Sequence, residues 1–174
     1  MIKTAFVIGN PDLCIGCRTC EIACVLAHTE KQLGTEAIKS VPFVPRLSVV
    51  KTEDISVPVQ CRQCEDAPCA EACPEKAIVQ RGQAIYVLAD KCVGCKNCLM
   101  ACPIGAVYLT RVEENPGQKT AYKCDLCGDV PDGPQCVKKC PTKALSVVLP
   151  AAITAGIKEK RKSAVREHSP FPAL

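Results

Sequence analysis

A chain of 174 residues carries 22 Lys plus Arg against 18 Asp plus Glu, a formal net charge of +4, together with sixteen cysteines. Sixteen cysteines are about 9% of the residues, a density at which disulfides or metals supplement the hydrophobic core. Three Phe, three Tyr and no Trp exclude a dry aromatic core, and the length suits one domain or two small ones, with a radius of gyration of roughly 16 Å if compact.

Taken in chain order, Lys3 is followed only by the short apolar run Ala5 to Ile8. That run is shorter than the h-region of a signal peptide and no twin-arginine leader accompanies it, so the chain is expected to be cytoplasmic. In a reducing cytosol thiols are not expected to form structural disulfides, and metal ligation becomes the leading explanation of the cysteines. The first group is Cys14, Cys17, Cys20 and Cys24. Glu30 to Ser56 connects it to the second, with Val41-Pro-Phe-Val-Pro-Arg46 reading as a loop that leads into a strand at Leu47 to Val50 and covers a cysteine site.

The second group is Cys61, Cys64, Cys69 and Cys73. Ala77 to Leu88 then presents two apolar runs around Arg81-Gly82-Gln83, the pattern of a β-hairpin. Cys92, Cys95, Cys98 and Cys102 form the third group, and Cys124, Cys127, Cys136 and Cys140 the fourth. Ala144 to Leu149 is apolar and is expected to pair with Ala5 to Ile8 as strands. Ala151 to Glu167, rich in Ala and Lys, reads as a helix ahead of the breaker-rich Ser169-Pro-Phe-Pro172. The charge-free stretch Ala144 to Ile157 is interrupted by Pro150 and falls short of the roughly 20 residues of a membrane span.

No cysteine is left over from these four quartets. The first and third share the spacing C-x2-C-x2-C-x3-C; the second widens one gap to four residues and the fourth widens it to eight. Pro74, Pro103 and Pro141 follow the last cysteine of quartets two, three and four, whereas Val25 follows that of the first. Near-identical tails, Cys73-Pro-Glu-Lys-Ala-Ile78, Cys102-Pro-Ile-Gly-Ala-Val107 and Cys140-Pro-Thr-Lys-Ala-Leu145, mark a repeated supersecondary unit. Each x3 segment, such as Cys98-Leu-Met-Ala-Cys102, has helical spacing and is expected to form a short helix, stopped here by Pro103.

Three closely spaced thiolates wrap three corners of one cubane, and the fourth cysteine of the run ligates the other cluster of a pair. Four complete quartets therefore favour four [4Fe-4S] clusters. Structural zinc, the main competitor, is usually held by two separated C-x2-C pairs rather than by triplets such as Cys14/Cys17/Cys20 and Cys92/Cys95/Cys98. Clusters with a cysteine at every corner move electrons and bind no substrate. Four of them would carry about −2 each with their thiolates, turning +4 into roughly −4, which discounts nucleic acid as a partner.

Arg18, Lys96, Lys138 and Lys139 lie beside candidate ligands and are read as solvated surface charges or as an offset to cluster charge. His28 and His168 are expected at the surface, without catalytic neighbours, and no phosphate loop or G-x-G-x-x-G occurs. The chain is expected to have no catalytic site of its own.

Cys14-Ile-Gly-Cys-Arg-Thr-Cys-Glu-Ile-Ala-Cys24, Cys61-Arg-Gln-Cys-Glu-Asp-Ala-Pro-Cys69, Cys92-Val-Gly-Cys-Lys-Asn-Cys98, Lys123-Cys-Asp-Leu-Cys127 and Gly133-Pro-Gln-Cys136 to Pro141 together resemble duplicated bacterial two-cluster ferredoxins. More closely, they resemble the four-cluster ferredoxin-like subunits of formate dehydrogenases, formate hydrogenlyase, hydrogenases, DMSO-reductase-type enzymes and carbon monoxide dehydrogenase partners.

The resemblance covers about residues 3–149. It implies an α+β fold of two ferredoxin-like lobes with short strands, short helices and long loops. Residues 58–110 would form an inner lobe with quartets two and three. Residues 1–57 with 111–149 would form an outer lobe with quartets one and four, and 150–174 a C-terminal helix and tail. Sequence alone leaves a pairing of quartets one and two open. The implied ligand sets are Cys61, Cys64, Cys69 with Cys102; Cys92, Cys95, Cys98 with Cys73; Cys14, Cys17, Cys20 with Cys140; and Cys124, Cys127, Cys136 with Cys24.

The function expected from this is an electron-transfer subunit. It would link a formate dehydrogenase, hydrogenase or carbon monoxide dehydrogenase catalytic subunit to a second redox protein, with residues 151–174 available for docking or self-association and no direct membrane span. A free polyferredoxin serving several enzymes and a non-redox zinc scaffold are the alternatives.

Overall fold

A computed structural model describes residues 2–33, 43–112 and 115–167. Val41, Pro42, His168 and Ser169 to Pro172, each part of an expectation above, lie outside the described residues. Fourteen short segments alternate: β1 (Phe6–Gly9), α1 (Thr19–Leu33), β2 (Leu47–Lys51), β3 (Ser56–Gln60), α2 (Pro68–Glu71), β4 (Ile78–Arg81), β5 (Ala84–Val87), a single 3-10 turn (Ala89–Lys91), α3 (Asn97–Ala101), β6 (Tyr108–Val112), β7 (Asn115–Tyr122), α4 (Gln135–Lys138), β8 (Leu145–Val148) and α5 (Pro150–Glu167).

Among the described residues the strands form four two-stranded antiparallel sheets, β1 with β8, β2 with β3, β4 with β5 and β6 with β7. Two of these pairings answer directly to the sequence. The Ala77–Leu88 segment is a hairpin in which Ile78 faces Val87 and Arg81 faces Ala84. Its turn is feasible because Gly82 adopts φ +57, where an L side chain is strained. The chain ends pair as anticipated, Phe6 opposite Val148 and Gly9 opposite Leu145. The strand at Leu47 to Val50 is present as β2, burying Leu47 and Val49 while Val50 faces out. Its partner β3 and the β6–β7 pair carry weaker signals: Pro58 lies inside β3, and Pro116-Gly117 lies inside β7.

The expected short helices appear within quartets two, three and four as α2, α3 and α4, each beginning one residue before the third cysteine and four or five residues long. Quartet one departs from that expectation. Without a proline after Cys24 nothing breaks the helix, and α1 runs for 15 residues, through Val25 to Leu33. The first part of the connection expected as a loop from Glu30 is thus helical.

The apolar interior is divided. One cluster gathers Cys69, Ala77, Ile78, Ile85, Cys92, Cys98, Val107 and Ala121, with Cys73 and Cys102 packed against it. The other gathers Val7, Cys20, Cys24, Leu47, Val49, Cys136 and Leu145, with Cys140 against it. Aliphatic side chains and cysteines supply both clusters and no ring is among them, so small side chains surround the sulfur atoms. The terminal helix α5 contributes to neither. Almost every described residue of it is exposed, Val165 by 75%.

Candidate metal centres

The local backbone of the four quartets is the same in two respects that spacing alone does not reveal. The residue before each second cysteine is left-handed: Gly16 (φ 68), Gln63 (φ 51), Gly94 (φ 67) and Leu126 (φ 59). The chain turns sharply there between the first two cysteines. At Gly94 the space is closed as well, since a Cβ would lie 2.6 Å from the carbonyl oxygen of Lys119. The third cysteine is the second residue of a helix in every quartet: Cys20 in α1, Cys69 in α2, Cys98 in α3 and Cys136 in α4. All four of these are buried.

The fourth cysteine is handled by a second repeated turn. After Cys73, Cys102 and Cys140 the third residue on is left-handed, Lys76 (φ 49), Gly105 (φ 63) and Lys143 (φ 55). The turn aims the next amide back at the sulfur. Ala77 N–H donates to Cys73 Sγ at 3.3 Å and Ala106 N–H to Cys102 Sγ at 3.3 Å. At Cys140 burial opposes ionisation, but hydrogen bonds from Thr142, Ala144 and Leu145 outweigh it and lower the thiol pKa. Cys24, lying inside α1, cannot use this turn. Its sulfur is reached instead by the Arg46 N–H at 3.4 Å, from across the chain.

Two cavities form where quartets meet. The first, about 350 Å³ of space partly open to solvent, is lined by Cys92, Cys95 and Cys98 of quartet three and by Cys73 of quartet two. The second, about 300 Å³, is lined by Cys14, Cys17 and Cys20 of quartet one and by Cys140 of quartet four. Thiols from different quartets also come within electrostatic reach elsewhere: Cys69 of quartet two senses Cys102 of quartet three, and Cys124, Cys127 and Cys136 each sense Cys24. Cys64 follows the left-handed Gln63 in the same turn as Cys61.

The donor chemistry suits iron–sulfur clusters. Burial pushes the thiol pKa of Cys20, Cys69 and Cys127 up to about 11 and that of Cys124 up to about 12, and it raises Cys136 as well. Several thiols are thus crowded into apolar surroundings that resist a bare thiolate, and a cationic metal is what deprotonates such a group. Donors nevertheless converge on the sulfurs, with Gln63 N–H on Cys61 at 3.4 Å and Ala121 N–H on Cys92 at 3.3 Å. Hydrogen bonds to sulfur of this kind are among the levers that set cluster potentials.

Cys17 and Cys95 are exposed, whereas Cys61, Cys69, Cys127 and Cys136 are buried. Beside the exposed pair stand apolar residues that also line the cavities, Ile15 (69% exposed) and Val93 (62%). Arg18, Lys96, Lys138 and Lys139 are exposed, and Lys138 pairs with Asp132 at 3.2 Å.

The expected surface position of His28 is corrected. Its side chain is only 18% exposed and its Nε2 lies 3.1 Å from Asp125 Oδ1, with Nδ1 2.7 Å from the Cys24 carbonyl oxygen. Burial opposes its charge, but hydrogen bonds to Asp125 and Cys24 prevail and raise its pKa to about 9. Arg46 Nη1 shares the same carboxylate. Asp125 also accepts the Cys127 N–H at 3.0 Å, so this ionic group braces the turn of quartet four. The residue the sequence most clearly under-reports is Lys123, only 2% exposed.

Comparison with known proteins gives one family, the 4Fe-4S dicluster domain, matched over residues 52–149. Electron transport protein HydN of Escherichia coli (strain K12) is 44% identical over 153 residues, 82% of this chain and 87% of the relative. Formate hydrogenlyase subunit 2 of the same organism is 38% identical, covering 90% of this chain and 88% of the relative. Putative oxidoreductase AegA, also of that organism, is 42% identical over 97% of this chain, which spans only 26% of that relative's length.

Proposed function

We propose, from the premise that the chain belongs to the 4Fe-4S dicluster domain family and is an iron–sulfur electron-transfer protein with several [4Fe-4S] clusters, that it holds four of them in two ferredoxin-like lobes and relays electrons for an oxidoreductase catalytic subunit. The proposed ligand sets are Cys92, Cys95, Cys98 with Cys73; Cys61, Cys64, Cys69 with Cys102; Cys124, Cys127, Cys136 with Cys24; and Cys14, Cys17, Cys20 with Cys140. The lobes would be residues 58–110 and residues 1–57 with 111–149.

The observation that carries this reading is the pair of cavities, each lined by three cysteines of one quartet and the last cysteine of another. The division of the apolar interior into two clusters supports the lobes, with Ala121 of segment 111–149 packing into the cluster of residues 69–107. When bound, each cluster supplies a one-electron carrier that needs no change of ligands. The chain's own part is to keep the sulfurs dry, to direct amides at them and to fix their spacing. With a cysteine available for every corner, the reading assigns the chain no substrate site and no catalysis of its own. The names of HydN and formate hydrogenlyase subunit 2 favour formate or hydrogen metabolism for the partner, with carbon monoxide dehydrogenase a further member of the same class.

Exposure of Cys17 and Cys95, one in each proposed lobe, supports contact with partners there. Val93→Asp and Ile15→Asp each place a charge at one rim without replacing a ligand. Each variant is expected to keep its iron, sulfide and visible spectrum while electron exchange with one of the two native redox partners slows about tenfold or more, the order of one lost interface contact. Stopped-flow reduction by the co-purified oxidoreductase reads the first. Unchanged rates for both variants would overturn the assignment of the rims.

The α5 helix supports a separate expectation. Among the described residues no helix is long and apolar enough to cross a membrane. Lys158, Lys160, Arg161, Lys162 and Arg166 face solvent, while Ile153 and Ile157, four apart, share a narrow apolar stripe. Deleting residues 151–174 is expected to leave iron content and spectrum intact and to reduce the size of the complex with the native partner beyond the deleted mass. Light scattering that finds the same assembly assigns the helix to solvent.

A further inference from the structure

Lys123 is the largest of the fully buried side chains, and no carboxylate among the described residues pairs with it. Its Nζ donates to three neutral oxygens: the Ile85 carbonyl at 2.6 Å, the Cys124 carbonyl at 3.0 Å and Gln63 Oε1 at 3.3 Å. Gln63, 1% exposed, completes the arrangement. Its Nε2 donates to the Cys124 carbonyl at 2.8 Å, its Oε1 accepts the Ile85 N–H at 2.8 Å, and its own N–H points at Cys61 Sγ.

A buried ammonium surrounded only by neutral acceptors is costly unless an anion lies close by. The groups around Lys123 that become anionic are thiolates. Cys124 is its neighbour in the chain, Cys61 is one hydrogen-bonded residue away through Gln63, and the charge of Lys123 acts on Cys69. These cysteines belong to two different proposed ligand sets, one in each lobe, and Cys124 senses Cys61 across the junction. Lys123 therefore stands where the two inner centres approach each other.

We propose that Lys123 is a positioning residue for electron transfer: a fixed buried cation that raises the reduction potentials of the two inner centres, those of Cys61/Cys64/Cys69/Cys102 and Cys124/Cys127/Cys136/Cys24, relative to the two outer ones. The inference rests on the ligand sets proposed above. Its physical basis is that an added electron makes a cluster more negative, and a cation held in a medium of low dielectric favours that state. Gln63 has the complementary task of holding the ammonium in place without neutralising it. The exposed Arg18 and Lys96, although adjacent to ligands in sequence, are screened by water and exert far less.

The test is a potentiometric titration of anaerobically purified full-length protein, followed by electron paramagnetic resonance, for wild type, Lys123→Met and Lys123→Arg. In Lys123→Met reduction of two of the centres is expected to become about tenfold less favourable, which for a one-electron couple is about 59 mV, while the other two keep their potentials. Lys123→Arg, retaining the charge, restores most of the difference. Gln63→Glu, which sets a carboxylate against the ammonium, shifts the same two centres downward with Lys123 still present, so the proposal stays testable if Lys123→Met folds poorly.

Equal potentials in wild type, Lys123→Met and Gln63→Glu, with all iron retained, would overturn the role of Lys123. A uniform shift of every centre would overturn it too, as a merely structural effect. Iron and sulfide assays on the wild type separate the underlying reading: about 16 of each per chain are expected for four clusters, and a lower number there refutes the ligand sets whatever Lys123 does.

Discussion

Extraction of iron from the native protein is expected to abolish its cooperative thermal transition rather than shift it. The two apolar clusters are built from Ala, Val, Leu, Ile and Cys around the sulfur sites, and rings contribute little: Tyr108 and Tyr122 contact each other at 5.6 Å between centroids on one hairpin. Removing the clusters leaves two partly open cavities lined by cysteines and small aliphatic side chains with nothing to fill them. A domain has a net stability of only about 5–15 kcal/mol, so loss of the metal–thiolate bonds that join distant quartets is decisive. The sharp left-handed turns at Gln63, Leu126, Lys76 and Lys143 add strain that bound metal offsets. Calorimetry of chelator-treated protein should show no cooperative peak, with metal binding acting as folding energy. An iron-free chain melting at the temperature of the loaded one contradicts this, and so does stoichiometric zinc in colourless native protein.

Cys73→Ser is expected to remove or convert the centre of Cys92, Cys95 and Cys98 and to spare that of its nearer sequence neighbours Cys61, Cys64 and Cys69. The proposed exchange between quartets is the reason. Cys73 lines the same cavity as Cys92, Cys95 and Cys98, and its sulfur is held there by the Ala77 amide in the turn after Pro74. Losing one of four thiolates leaves an iron with an open position, so the effect on that centre should be large, with up to a quarter of the iron lost. Low-temperature spectra of the reduced variant decide between the alternatives. Alteration confined to the Cys61/Cys64/Cys69 centre would mean that each quartet keeps its own fourth ligand.

Quartet one illustrates why part of the fold is legible in the residues and part is not. Val25 in place of proline is visible as a departure from the other three quartets. Its consequences are not visible there: α1 continues to Leu33, Cys24 loses the local amide that serves Cys73 and Cys102, and Arg46 supplies one from 22 residues away. Similarly, Cys127 can be read as a ligand from its spacing, but nothing near Asp125 in sequence announces His28 and Arg46, which reach it over 97 and 79 residues. His28 therefore reads as a surface residue in the sequence and as a brace in the fold.

What the sequence by itself determined is the local chemistry: sixteen thiols in four groups, the iron–sulfur family, the Gly82 hairpin and the pairing of the apolar chain ends. These rest on spacing, repetition and apolar runs, which act over a few residues and leave a signature in them. Only the tertiary structure decided which quartets line a common cavity, which cysteines face solvent, and that Lys123 and Gln63 are buried and hydrogen-bonded to each other. Those depend on contacts between segments tens of residues apart, where a lysine beside a cysteine has the same local pattern whether water or three oxygens surround its ammonium.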